Sequence, residues 1–216
     1  MEFRKEENMN KYIVEFIGTF FLLLVIGLCV IEPGGAGAMA PLAIGTILMV
    51  MVYAGGHISG GHYNPAVTLG VWMRGKCEAK EVPFYMVAQV LGALAASLLV
   101  VYLKGDSLIV AANPKIANVF IAELIFTFAL VFVVLNVATA KKTTGNSYYG
   151  LAIGFTLMTA AYSIGSISGC AINPAVAIGI TLMGLSKLSN LWVFLVANFA
   201  GGALASMVFK ITNSDE

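Results

Sequence analysis

Residues 55–70 read GGHISGGHYNPAVTLG and residues 164–179 read IGSISGCAINPAVAIG, with nine of sixteen positions identical at a constant offset of 109. The same offset lays Ala88, Gly92, Ala96 and Ser97 over Ala197, Gly201, Ala205 and Ser206, and an offset of 108 lays Glu15 of VEFIGTF over Glu123 of AELIFTF. A repeat this long describes an architecture before it describes a chemistry. A single domain, 1–216, is therefore expected to consist of two copies of one unit, 12–103 and 118–210.

Around these stretches the chain is 59% apolar and only 11% charged, too little polar surface to clothe a water-soluble domain of 216 residues. Apolar runs long enough to cross a hydrocarbon core of about 30 Å recur at roughly 12–32, 40–56, 82–103, 118–139, 148–165 and 190–210. The first starts behind Arg4, Lys5 and Lys11 without a small-residue cleavage site, so it is expected to be a retained span and not a signal peptide. Three spans per half is an odd number, so the second copy must enter the membrane from the opposite face, related to the first by a pseudo-two-fold axis in the membrane plane. Secondary carriers share that plan, and the repeat by itself leaves channel and carrier open.

With the N-terminus in the cytoplasm, nine of the twelve basic residues lie inside: Arg4, Lys5, Lys11, Arg74, Lys76, Lys80, Lys141, Lys142 and Lys210. Both termini are therefore expected to be cytoplasmic. A net charge of +1 and no basic stripe exclude nucleic acid as a partner. Cys29, Cys77 and Cys170 are odd in number and lack metal-ligand spacing, so neither a disulfide framework, a metal nor a cofactor is expected. No activated nucleophile or acid/base pair can be assembled, which argues against an enzyme.

Asn64-Pro65-Ala66 and Asn173-Pro174-Ala175 are chemically helix starts, since Asn caps well and Pro at the first helical position gives up an N–H that has no partner there. The helical pieces that follow, Pro65 to about Trp72 and Pro174 to about Met183, are too short to span. Each copy can instead enter as extended chain, Ser59–Tyr63 or Ser168–Ile172, and leave as a half-helix that starts at mid-membrane. Gly60, Gly61 and Gly169 permit the irregular path and, with His62, are expected to line the pore vestibule. The Asn64 and Asn173 amides would donate to a passing oxygen while the positive helix ends oppose cations. Asn113-Pro114 marks an ordinary turn.

The paired Asn-Pro-Ala boxes, the SGGHYNPAVT loop, the glutamates of spans one and four and the inverted three-plus-three plan resemble the aquaporin, or major intrinsic protein, family. The resemblance covers nearly the whole chain. It implies an all-α membrane protein of six transmembrane helices and two re-entrant half-helices, a homotetramer with one pore per subunit, in the lipid bilayer. In the family a ring of four residues near the outer mouth sets selectivity, and an Arg commonly follows the second box. Counting from the boxes places Ile44, Ala161, Cys170 and Val176 in that ring. None of them is charged, and Val176 stands where the Arg would be. Plant vacuolar members also have Asn-Pro-Ala-Val, whereas glycerol facilitators usually read NPARD, from which Ala177 departs.

An apolar ring without Arg lowers the desolvation penalty for neutral solutes, so the expected cargo is water with urea, ammonia or hydrogen peroxide, and glycerol ranks lower. The alternatives are a glycerol or neutral metalloid-acid facilitator with little water role, a proton-coupled carrier, and a junctional protein with little flux. Glu15 and Glu123 would serve a carrier directly, but as symmetric copies they are expected to brace the two irregular loops. His57 is expected to pack against neighbouring loops. Cys170 in the ring would confer mercurial sensitivity. Gly92-x-x-x-Ala96, Gly150-x-x-x-Gly154 and Gly201-x-x-x-Ala205 are small-residue ridges for helix packing. Short loops and tails point to a microbial plasma (inner) membrane.

Overall fold

A computed structural model describes residues 2–214 except 106, 108, 110, 112 and 113, with side chains described from Met9 onward. Asn113, and with it the expected Asn-Pro turn, lies outside the described residues. The described residues form eight α-helices: α1 (Glu2–Val30), α2 (Ala40–Ser59), α3 (Pro65–Met73), α4 (Val82–Lys104), α5 (Ile116–Val134), α6 (Tyr149–Ser168), α7 (Pro174–Leu182) and α8 (Leu191–Thr212). All but α3 and α7 are long and apolar enough to cross a membrane, with spans Met9–Val30, Gly37–Ser59, Val82–Lys104, Ile116–Thr139, Tyr149–Ser168 and Leu188–Thr212. Large apolar side chains such as Phe84, Leu98, Ile121 and Trp192 remain exposed on the outer faces, as lipid-facing helices require.

Small residues set how closely the spans approach. α1 packs on α4 and α5 on α8, and in each pair a glycine of the expected ridges lies against backbone. A Cβ on Gly92 would strike the Phe16 carbonyl, and one on Gly201 would lie 2.5 Å from the Leu124 carbonyl. The third pair, α2 on α6, joins the two halves. There a Cβ on Gly45 would lie 2.5 Å from Met158 Cβ and one on Gly154 would lie 2.5 Å from Met49 Cβ. Residues 45 and 154, like 49 and 158, are related by the repeat offset, so this contact maps onto itself and marks the pseudo-two-fold axis.

The half-helices α3 and α7 have nine residues each, about 14 Å at 1.5 Å per residue, roughly half of a hydrocarbon core. The second and fifth spans were expected to end near 56 and 165, yet α2 and α6 continue to Ser59 and Ser168. The chain then reverses at Gly60 (φ 91°) and Gly169 (φ 88°), each donating its N–H back to a helix carbonyl, Gly56 and Gly165 respectively. These left-handed caps suit glycine, and they shorten each expected extended segment to four residues, 60–63 and 169–172. α5 ends in a five-residue π-helical stretch, Leu135–Thr139, which faces an open vestibule.

Candidate functional site

The two boxes cap their half-helices as their chemistry predicts. Asn64 and Asn173 have extended backbones (φ −157° and −161°), and their side-chain oxygens accept from the N–H of Ala66 (2.8 Å) and Ala175 (2.9 Å). Pro65 and Pro174 follow at the first helical position, and both box alanines are fully buried. The side-chain nitrogens then cross the axis. Asn64 Nδ2 donates to the Ile172 carbonyl and Asn173 Nδ2 to the Tyr63 carbonyl, both at 2.9 Å. One amide hydrogen on each thus ties a box to the opposite loop, and the second is left for the lumen.

The loops before the boxes are held by the two glutamates, both fully buried. Glu15 Oε1 accepts from Ser59 Oγ (2.7 Å) and the His62 N–H (2.9 Å), while Oε2 accepts from the Tyr63 N–H (2.6 Å) and Gln89 Nε2 (2.7 Å). Glu123 repeats the pattern with Ser168 Oγ (2.6 Å) and the N–H groups of Ala171 (3.0 Å) and Ile172 (2.6 Å). Because a carboxylate only accepts, the Asn198 amide is placed with its nitrogen toward Glu123 Oε2 (3.1 Å) and its oxygen toward the Asn173 N–H (2.9 Å). Four donors on each carboxylate occupy both oxygens twice, which suits a fixed acceptor in the membrane interior. Ser59, Ser168, Gln89 and Asn198 were not singled out from the sequence. Both pairs obey the 109 offset, which was the signal that could have found them.

The loops carry residues in the left-handed region: Gly61 (φ 62°) and its counterpart Cys170 (φ 52°), and Tyr63 (φ 49°) and its counterpart Ile172 (φ 37°). For side chains other than glycine this is strained backbone, tolerated because the glutamate bonds fix the neighbouring peptides.

Where the boxes meet, a narrow cavity is walled by Asn64, Asn173, Cys170, Val176, Gly61 and His62, together with an apolar lining that includes Leu22, Leu48, Leu130 and Leu157. Among the described residues no Asp, Glu, Lys or Arg lines it. Ile44 is buried and Ala161 half-buried, and neither lines this cavity. Ile44 lies one helical turn beyond Leu48 and Ala161 one turn beyond Leu157, so both continue the same helix faces toward one mouth. At the other mouth a wider vestibule with polar walls is bordered by Lys11, Lys76, Glu81, Gly60 and the π-helical stretch. His62 borders both spaces. Gly169, grouped from the sequence with the vestibule residues, is exposed and lines neither space; its loop enters from the opposite face. His57, expected to pack against loops, is exposed in the vestibule wall.

At the vestibule ends of α1 and α4, Lys11 Nζ meets Glu81 Oε1 at 3.1 Å and ties α1 to the start of α4. Beside this pair, burial and the Glu81 charge push the Cys77 thiol up to about 11. Among the described residues no group of three His, Cys, Asp or Glu could hold a metal ion.

A family model described as Major intrinsic protein matches residues 2–209. Among curated relatives, Aquaporin NIP1-4 of Oryza sativa subsp. japonica is 36% identical over 211 residues, 94% of this chain and 77% of the relative. Glycerol uptake facilitator protein-like 6 of Lactiplantibacillus plantarum is 35% identical over 217 residues, 96% of this chain and all of the relative. Among solved structures, the aquaglyceroporin from Plasmodium falciparum superposes with a TM-score of 0.79 at 23% identity, covering 94% of this chain and 95% of that one, a likeness of fold. With boxes, loops and inverted halves all in place, the chain belongs to the major intrinsic protein family and is a multi-pass membrane channel, not an enzyme, passing water and small solutes passively.

Proposed function

We propose that this channel conducts water together with small uncharged solutes such as urea, ammonia and hydrogen peroxide, and excludes protons and ions. The observation that carries the reading is the uncharged wall around the boxes, where Val176 and Cys170 face the lumen among leucines. Nothing there strips a solute of its apolar character, while the half-helix N-termini and the free amide hydrogens of Asn64 and Asn173 disfavour cations and interrupt a proton wire. The narrowest ring consists of Cys170 and Val176 with Ile44 and Ala161 one turn outward. Glu15 and Glu123 brace the loops and carry no protons. The vestibule bordered by Lys11 and Lys76 faces the cytoplasm with both termini, and four copies assemble in a microbial plasma membrane, each with its own pore.

Glycerol selectivity is the second reading, favoured by the relative named a glycerol uptake facilitator that this chain matches over that relative's full length. Stopped-flow light scattering on proteoliposomes separates the two. Under the first reading urea and water both pass, and Val176→Arg lowers urea permeability roughly tenfold while water persists, because a cationic donor narrows and polarises the ring. Unchanged solute permeability in Val176→Arg would remove Val176 from the ring. Glycerol flux far above that of urea would favour the second reading.

A further inference from the structure

His62 stands at the neck between the vestibule and the inner cavity and is buried there. Its ring is fixed from two sides: Nδ1 lies 3.1 Å from Thr68 Oγ1, and the face rests against Tyr85 with ring centroids 5.0 Å apart. Tyr85 is itself anchored by its hydroxyl to the Ser59 carbonyl (2.7 Å). A Cβ on Gly60 would lie 3.1 Å from His62 Nε2, so the glycine keeps the space in front of that nitrogen open.

The hydrogens around Thr68 decide which ring nitrogen is protonated. Thr68 Oγ1 has one hydrogen and two lone pairs, and three groups reach it. Gln89 Nε2, whose other hydrogen goes to the acceptor-only Glu15, donates to it at 2.9 Å. The Asn64 carbonyl, 3.1 Å away, can only accept. If the hydroxyl donates to Asn64, its remaining lone pair accepts Nδ1–H and all three contacts are hydrogen bonds. If it donates to Nδ1, the Asn64 contact is lost. A buried hydroxyl favours the arrangement with every contact made.

We infer that His62 is held by Thr68 as the Nδ1–H tautomer, making Nε2 a fixed acceptor at the neck and His62 a specificity-determining residue on the vestibule side. Solutes then meet an acceptor at the neck and the Asn64 and Asn173 donors at the centre. The class that fits is a small neutral molecule with both an O–H or N–H and a lone pair: water, amides, hydroxyl compounds. An aprotic molecule of similar size has nothing to offer Nε2. The inference rests on the channel reading above.

Full-length protein with ¹⁵N-labelled histidine in proteoliposomes tests it by solid-state NMR, with His57→Asn assigning the two histidines. The expected spectrum has His62 Nδ1 protonated and Nε2 bare. Thr68→Val removes the acceptor and should move the proton to Nε2, whereas Thr68→Ser should leave the spectrum as in the wild type. In the same vesicles His62→Leu should lower water flux per channel about fivefold, the factor expected for one hydrogen bond. Dominant Nε2–H in the wild type overturns the inference, whether or not Thr68→Val folds, and so does a flux unchanged in His62→Leu. A wild type with no facilitated flux overturns the channel reading instead, and the spectrum stands apart from that result.

Discussion

Replacing Glu123 by Gln tests whether the buried carboxylate braces a loop or carries protons. The carboxylate accepts from Ser168 Oγ, the Ala171 and Ile172 N–H groups and the Asn198 amide. An amide offers one acceptor oxygen, so its NH₂ must face one of the two backbone N–H groups. Ser168 can turn its hydroxyl to accept, but a peptide N–H cannot. One orphaned buried donor costs about 2 kcal/mol, and loss of charge on three remaining bonds costs about 0.7 kcal/mol each, giving about 4 kcal/mol in total. For a chain of this size that lowers the melting temperature by roughly 10 °C. The assay is thermal unfolding in detergent, followed by tryptophan fluorescence with monodispersity checked by size exclusion. Water flux per folded channel should survive at low temperature and show no dependence on a proton gradient. A melting temperature within a degree or two of wild type would refute the bracing argument, and flux coupled to protons in the wild type but not in Glu123→Gln would restore the carrier. Glu15→Gln should fall by a similar amount, because its four donors are the symmetric set.

Other outcomes follow from single contacts. Mercurials should block water flux by reacting at Cys170 in the cavity wall, and Cys170→Ser should abolish the block, measured by stopped-flow with and without thiol reductant. Cys170→Gly should also be insensitive and should raise the melting temperature by about 2–4 °C, since glycine relieves a left-handed backbone at the position where the first repeat already has Gly61. The raised pKa leaves Cys77 with less thiolate at neutral pH than an ordinary thiol; iodoacetamide labelling, read by mass spectrometry, should be slow at pH 7, rise about tenfold per pH unit and level off only above about 11. Gly45→Leu should abolish folded protein in a size-exclusion profile, because the contact with α6 has no room for a side chain.

The fold was largely legible because a repeat compares a chain with itself. The shared offset, the helix-start chemistry of Asn-Pro and the odd number of spans per half sufficed for six spans and two half-helices. Glu15 and Glu123 obey nearly the same offset, and that symmetry is what suggests braces for the two loops. The identity of the lumen wall was less accessible. Leu22, Leu48, Leu130 and Leu157 line the cavity, yet lipid-facing positions on the same helices are equally apolar, so periodicity does not separate the two faces. The reach of α2 and α6 to Ser59 and Ser168 was hidden for a related reason: polar residues in GHISG look like loop, and only the left-handed glycine cap reveals that the helix continues through them. The pairing of Asn64 with Ile172 and of Asn173 with Tyr63 joins residues more than a hundred positions apart, which no local pattern encodes.

Those crossed amides bear on how the protein is made. The nascent chain releases its first three spans and the first box long before residue 173 is synthesised, and during that interval the Tyr63 carbonyl lacks the donor that will hold it and the Asn64 amide lacks its acceptor. An amino-terminal half inserted by itself therefore keeps an unclosed polar loop inside the bilayer, so maturation of the pore is a late event that waits for translation to reach the second box.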